Sequence, residues 1–479
     1  VSIADLLILL PLAAAVVVWL LPLSGRAALS LAFLAALAEV GVWITSLMRF
    51  DFEEGGLQQA TATEWFEDLG ASWSVGLYDW SLWLVGLTVV AGAAALGYAV
   101  WVDRERGRAY GGLVLFLIGA VVGVFAAQDL LLFYVAFEAM LIPIYVLIGV
   151  WGGAGRLRAT VLFVVYTMAG SLLMLAAVVA YGVGEGTFDL TRLDASDNAW
   201  LFLGFAIAFA VKAPLFPFHG WLLPTYRESP AELTALLSGV VSKAAVYGFL
   251  RIAIDRFPEP ARDVATPILV LAAIGLAYGS LMAFRAPDFR GVMSYSSMAQ
   301  MGLILLGVFA FNDLGFDGAI LQSVNHGLVS TTMFLLGGMI ERRAATGEFA
   351  LLGGMARGRP ALATVLMTTG VISLAVPGAA TFAGEFAILA GVFEQGWGYA
   401  AVGAAAIVFA AMYMLRLISA VLHCERGSAV TDAALDLRPG ELALVVPLVA
   451  CLLALSAWPA AVTDHAFADG AAAIEEAGP

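Results

Sequence analysis

Residues 111–151 read G-G-L-V-L-F-L-I-G-A-V-V-G-V-F-A-A-Q-D-L-L-L-F-Y-V-A-F-E-A-M-L-I-P-I-Y-V-L-I-G-V-W, with only two carboxylates, Asp129 and Glu138. A hydrocarbon core of roughly 30 Å is crossed by about 20 apolar residues in a helix. The stretch is therefore two spans in succession, 111–127 and 129–151, divided at the A-Q-D of Ala127–Asp129. Glu138 then falls inside the second span, where water cannot solvate it.

The same pattern fills the chain. Of 479 residues, 62% are hydrophobic and 13% charged, which excludes an ordinary soluble domain. Further spans are expected near 3–23, 28–48, 78–100, 159–182, 199–223, 230–252, 265–286, 288–310, 316–341, 361–393, 399–424 and 441–462. The reading is an all-α integral membrane protein of about fourteen transmembrane helices in a single membrane domain, 1–479. The first apolar run has no basic region before it and reads as a membrane helix rather than a signal peptide. The segment from Arg49 to Leu77 is the longest linker.

Charge orients the helices. Arginines cluster in the loops after odd-numbered spans, as at Arg104, Arg106 and Arg108 or at Arg342, Arg343, Arg357 and Arg359. The alternate loops are acidic, the first carrying Asp51, Glu53, Glu54, Glu64, Glu67 and Asp68, with one mixed case that has Arg256 and Arg262 beside Asp255, Glu259 and Asp263. By the positive-inside rule both termini face the outer side of a bacterial inner membrane or its equivalent. This side preference also accounts for the net charge of -14 without a basic partner.

Redox chemistry within the chain has no support. Cys424 and Cys451 form no C-x-x-C pair and read as small buried hydrophobes, the four histidines are scattered, and no glycine-rich nucleotide fingerprint appears. No metal site is expected.

The chain has 23 basic residues, but its only lysines are Lys212 and Lys243, both inside apolar runs. Arginine stays protonated at any accessible pH, whereas a desolvated lysine can exchange a proton. A charge at mid-bilayer costs on the order of 3 kcal/mol on insertion scales, so such residues are read as functional. Glu138 and Glu385 complete a set of four candidate proton-handling sites. The opposing reading is a static buried ion pair that holds helices together.

Two spans are interrupted beside these ionisers. One break is K-A-P-L-F-P-F-H-G, with Pro214 and Pro217, and the other is V-P-G-A-A-T-F-A-G-E-F, with Pro377 and Gly378. Paired interruptions point to ion sites in a repeat-built transporter, against the plainer reading of a proline kink. His219 and His326 are candidate relay members or packing histidines. A polar stripe of Ser294, Tyr295, Ser296, Ser297 and Gln300 offers a proton path or close-packing contacts. Glu39 is expected at an interface, and Trp73, Trp80 and Trp83 in an aromatic belt.

These strings resemble a known family. F-A-A-Q-D-L-L-L-F-Y-V-A-F-E-A-M-L-I-P, Y-T-M-A-G-S-L-L-M-L, F-A-V-K-A-P-L-F-P-F-H-G-W-L, V-S-K-A-A-V-Y-G-F-L-R, M-S-Y-S-S-M-A-Q-M-G, N-H-G-L-V-S and F-A-G-E-F cover nearly the whole chain. They are similar to the antiporter-like membrane subunits of proton-pumping NADH:quinone oxidoreductase (respiratory complex I). The glutamate string is most specific for the group called subunit M or chain 4. The lysine and histidine strings are shared with sister subunits and multisubunit cation/proton antiporters.

The resemblance implies fourteen helices with two inverted five-helix repeats, about 111–252 and 265–424. It implies that Glu138, Lys212, Lys243 and Glu385 carry protons, with Glu385 releasing outward and His326 on a central hydrophilic axis. It also implies partner subunits that bear NADH, FMN, iron–sulfur clusters and quinone, with no cofactor on this chain and no nucleic-acid partner. The family commonly has a histidine where this chain has Gln300, and W-L-P-D-A-H where it has W-L-L-P-T-Y. The chain ends soon after the last span, unlike sister subunit L with its long lateral helix. The rival assignments are a sodium/proton antiporter subunit, a membrane-bound hydrogenase subunit or a non-conducting scaffold.

Overall fold

The computed structural model describes residues 2–464. The orientation expected for the two chain ends concerns residues that lie partly outside this range. The first helices are α1 (Ile3–Leu20), α2 (Gly25–Arg49), α3 (Asp79–Val102), α4 (Gly107–Ala126), α5 (Leu130–Trp151), α6 (Arg156–Glu185) and α7 (Ala199–Lys212). They are followed by α8 (Ala231–Ile254), α9 (Ala265–Arg285), α10 (Phe289–Val308) and α11 (Asp313–Ala344). The last are α12 (Pro360–Ile372), α13 (Ala380–Gln395), α14 (Trp397–Leu422) and α15 (Pro439–Ala457).

Eleven of these helices, among the described residues, are long and apolar enough to cross a membrane. The expected spans at 199–223 and 361–393 are absent as continuous helices because each is broken: α7 and α12 are short apolar pieces. The remaining expected span, 316–341, is part of the long α11, whose face carries Gln322, Asn325 and His326. The A-Q-D division of the opening stretch is a true helix boundary. Asp129 caps α5 by accepting from the N–H groups of Leu131 and Leu132, both at 2.9 Å.

The segment read as a plain linker instead contains an antiparallel hairpin, β1 (Gln58–Phe66) with β2 (Ala71–Leu77). The membrane-spanning part is all-α, as expected, and the hairpin lies in the segment between α2 and α3. The strand signal was present in the alternation and β-rich composition of A-T-A-T-E-W-F and A-S-W-S-V. The hairpin is tied to the α4–α5 boundary, where Ser72 N–H donates to Asp129 at 2.8 Å and Gln128 N–H to the Ser74 carbonyl at 2.8 Å.

Burial grades from centre to rim. The α8 window is 100% buried, whereas that of α2 is 28%. At the centre α8 and α11 touch through small residues. A Cβ on Gly327 would fall 2.7 Å from the Gly239 carbonyl oxygen, so both positions need glycine for this approach.

Ion pairs close the arginine-bearing ends. Arg104 makes a two-pronged pair with Glu232, one bond being 2.9 Å, and Tyr110 Oη donates to the same carboxylate at 2.9 Å. Arg290 holds Glu341 through two 2.7 Å bonds, and Arg343 pairs with Glu441 at 2.7 Å.

Several expectations change. Cys424 is exposed and Cys451 half-buried, because Cys424 follows the end of α14 in a loop. Glu39 is fully buried rather than interfacial, since it lies on the inward face of α2 with Ala32 and Ala36. Trp80 is also buried, against the Tyr247 ring, and is not a belt residue.

Candidate functional site: a buried polar axis

The first helix break creates the Lys212 position. Pro214 has no N–H, so the Ala210 carbonyl is taken up by Leu215 N–H at 2.9 Å instead. The Val211 carbonyl, freed by the same break, accepts from the Trp221 indole at 3.0 Å. Helix α7 therefore ends at Lys212, where the negative end of the helix dipole favours a cation. Lys212 is buried, and its Nζ lies 4.8 Å from the Phe137 ring centroid. It has no hydrogen-bond partner among the described residues.

Glu138, one residue from Phe137 on α5, interacts electrostatically with Lys212 without hydrogen-bonding to it. It is half-buried. Val135, Ile142 and Tyr145 on the same side of α5 are exposed, so this carboxylate sits beside an apolar stripe at the rim of the chain.

Lys243 lies at the centre and is fully buried. A π-helical turn at Leu237–Val241 shapes its surroundings. Ser242 N–H bonds back to Leu237 rather than Ser238, at 3.2 Å. The Ser238 carbonyl is thereby left for Lys243 Nζ, at 2.6 Å, and for the Ser242 hydroxyl, at 3.0 Å. Lys243 Nζ also lies 2.7 Å from His326 Nδ1 on α11. The Ser238 hydroxyl meets that of Ser297 at 2.7 Å and joins α8 to α10.

The second break places Glu385. After α12 ends at Ile372, Gly378 takes a φ of +93°, which an L side chain rarely adopts, and α13 restarts at Ala380. Asn325 Nδ2 donates to the Ala380 carbonyl at 2.8 Å and fixes this restart to α11. The buried Glu385 Oε1 accepts from Gln300 Nε2 at 2.9 Å and from Gln322 Nε2 at 3.2 Å. The two amides are themselves joined at 2.8 Å.

The fold thus gathers the sequence candidates into three groups: Glu138 with Lys212, Lys243 with His326, and Glu385 with Gln300. Ser296 joins the last group through Tyr413, at 2.9 Å. Ser294 instead donates to the Arg290 carbonyl of its own helix. His219 stacks between Phe216 and Tyr278, apart from these groups. Ser238, Gln322, Asn325 and Tyr413 were not singled out from the sequence, since a neutral polar residue in a helix gives no charge signal.

Buried polar atoms are ordinarily hydrogen-bonded. Among the described residues, Glu138 Oε1, Lys212 Nζ, His326 Nε2, Asn325 Oδ1, Gln322 Oε1 and Glu385 Oε2 are buried without a protein partner. These six fall on or beside the three groups, while others, Glu39 Oε1 and Oε2, His219 Nδ1 and Asp317 Oδ1 among them, lie elsewhere. No His, Cys, Asp or Glu cluster suited to a metal ion occurs among the described residues.

Comparison with known proteins assigns the chain. Residues 127–413 match the family described as NADH:quinone oxidoreductase/Mrp antiporter, TM. NADH-quinone oxidoreductase subunit M of Rhodobacter capsulatus is 34% identical, over 97% of this chain and 94% of that protein. NAD(P)H-quinone oxidoreductase chain 4 1 of Synechococcus elongatus is 32% identical, over 96% of this chain and 89% of that protein.

Among solved structures, a chain of respiratory complex I from Thermus thermophilus with bound NADH aligns with a TM-score of 0.90 and 31% identity, covering 99% of this chain and 100% of that one. The Mrp complex from Dietzia sp. DQ12-45-1b has a chain with the same fold, at a TM-score of 0.87 and 20% identity, covering 99% and 100%. The chain belongs to the antiporter-like subunit M (chain 4) family of NADH:quinone oxidoreductase, respiratory complex I.

Proposed function

We propose that the chain moves protons along the buried polar axis Glu138–Lys212–Lys243–Glu385, driven by quinone reduction in partner subunits. The observation that carries this reading is the run of partnerless buried polar atoms along the axis. Groups of this kind, too costly to leave dry, are satisfied by internal water, and water chains conduct protons.

Charge on Glu138 is the input. Its carboxylate favours the ammonium of Lys212, and neutralising either one releases the other to exchange its proton. The exposed stripe beside Glu138 provides a face through which a neighbouring sister subunit sets that charge. Lys212 hands its proton toward Lys243 and His326, and Glu385 terminates the axis. Each charge moved against 100 mV costs about 2.3 kcal/mol. A swing of about 1.7 units in lysine proton affinity per cycle meets this.

The same reading includes about fourteen membrane crossings, counting the broken helices, and two inverted repeats, about 111–252 and 265–424. The arginine-bearing ends face the cytoplasm of a bacterial inner membrane, with both termini outside. NADH, FMN, iron–sulfur clusters and quinone belong to the partners.

The test is proton pumping by the purified complex in liposomes, with Lys212→Ala and Glu138→Gln. Both variants are expected to assemble and to lose most pumping. Native pumping in either overturns the reading, and loss of assembly in both favours a scaffold instead.

A further inference from the structure

Beside Glu385 is a cavity of about 10 Å³, lined by Ser280, Ala299, Gln300, Glu385, Ala406 and Tyr413 among others. That is room for about one water. Two of its lining atoms are buried, polar and without a protein partner among the described residues: Glu385 Oε2 and Ser280 Oγ. Neither the mechanism above nor the sequence reading uses Ser280.

Buried helical serines usually bond back to a carbonyl of their own helix. Ser242, Ser294 and Ser323 do so here, at 3.0, 2.6 and 2.7 Å. Ser280 makes no such bond, although it is 1% exposed and sits in regular helix. Ser280 lines the cavity, and its hydroxyl has no partner among the described residues.

The position of the cavity has a direction. Ser280 is five residues before Arg285 in α9, about 8 Å along the helix axis. Tyr413 is three residues before Arg416, whose guanidinium donates to the Phe284 and Ala286 carbonyls, the latter at 2.9 Å. Ser296, bonded to Tyr413, is six residues after Arg290. All three hydroxyls therefore lie on the arginine-bearing side, whereas α13 leads from Glu385 toward the opposite face.

We propose that Glu385 exchanges its proton with the arginine-bearing face through one water held between Glu385 Oε2 and Ser280 Oγ. The Tyr413–Ser296 pair continues the connection. The water donates a proton to the carboxylate and receives one from the hydroxyl side, so the water and Ser280 end neutral. The hydroxyls are re-protonated from the water at the arginine-bearing face, so the net change is one proton moved from that face to the Glu385 carboxylate. This gives the carboxyl an inner connection in addition to its outward one, and it rests on the proposed role of Glu385.

The test is infrared spectroscopy of the complete complex, following hydrogen–deuterium exchange of the Glu385 carboxyl band, which Glu385→Gln identifies by its disappearance. Ser280→Ala removes the hydroxyl, and Ala406→Leu fills the cavity from another helix. Each is expected to slow exchange about tenfold, equivalent to about 1.4 kcal/mol, while Ser280→Thr exchanges at the native rate. Native-rate exchange in Ser280→Ala or Ala406→Leu overturns the proposal. If Ser280→Ala does not assemble, Ala406→Leu alone decides. Because the readout is exchange rather than pumping, it separates this proposal from the axis itself, which fails if Glu385→Gln pumps normally.

Discussion

Lys243 Nζ lies 2.7 Å from Nδ1 of His326, so the ring nitrogen facing the ammonium is the acceptor and Nε2 carries the ring proton when Lys243 is charged. Two basic groups at this distance do not both hold an extra proton. Their contact joins α8 to α11, which approach closely at Gly239 and Gly327.

Replacing His326 by Ala leaves Lys243 with only the Ser238 carbonyl and the Ser242 hydroxyl. Proton pumping by the reconstituted complex is expected to fall about tenfold or more, the worth of one charged hydrogen bond. His326→Gln keeps an acceptor but cannot titrate, and is expected to restore assembly without restoring rate. Pumping at the native rate in both variants contradicts a relay role.

Gln300 donates directly to Glu385. Gln300→Leu removes that donor and, among the described residues, leaves the carboxylate with Gln322 Nε2 at 3.2 Å. A charged hydrogen bond lost in this way costs about 1.5–3 kcal/mol, so a pumping rate lower by at least about tenfold is expected. Gln300→His is expected to retain activity, since the imidazole also donates. Measuring both in the same liposomes distinguishes the two outcomes.

At the arginine-bearing ends, Glu232 is buried and doubly held by Arg104 and Tyr110. Arg104→Ala strands a buried carboxylate, which typically costs 3–5 kcal/mol, whereas replacing both partners by apolar groups costs much less. Thermal unfolding of the detergent-solubilised protein is expected to show a clearly lower midpoint for Arg104→Ala than for Arg104→Leu combined with Glu232→Leu. Equal midpoints would refute the stranded-charge account.

Asp436, in the loop before α15, caps the first turn of α12 by accepting from Ala361 and Leu362 N–H at 3.0 and 2.9 Å. Burial pushes the pKa of this carboxyl up, but the N–H groups of Leu362, Ala361 and Leu437 outweigh it and hold the pKa below its usual value. With a lowered folded-state pKa, the stabilisation is complete above about pH 4, the unfolded value. It is lost as pH falls through the folded-state value. Asp436→Ala is expected to cost about 1 kcal/mol at neutral pH. The difference between variant and native stability should shrink on acidification, and a difference constant down to pH 2 runs against the cap.

How much of this was legible varies by residue. Lys212, Lys243, Glu138 and Glu385 stand out in the sequence because charge in an apolar run is costly wherever the run folds. The two breaks were visible too, since proline cannot donate an N–H in any context. The hairpin at Gln58–Leu77 carries a strand signal, but its anchor at the α4–α5 boundary is a partner that linear spacing does not reveal. Gln322, Tyr413 and Ser280 gave no signal, because a neutral side chain becomes informative only when its neighbours are known.

The sequence by itself determined that this is a membrane protein, roughly where its helices run, which ends carry arginine, and that Glu138, Lys212, Lys243 and Glu385 fall in apolar runs. These follow from one-dimensional rules of hydropathy, charge and backbone donors. The tertiary structure alone decided the pairings: Lys243 with His326, Glu385 with Gln300 and Gln322, and the cavity with Ser280. It also separated His219 and Ser294 from the axis. Those outcomes depend on helix rotation and on approaches of a few ångströms, such as Gly239 against Gly327, which linear spacing does not encode.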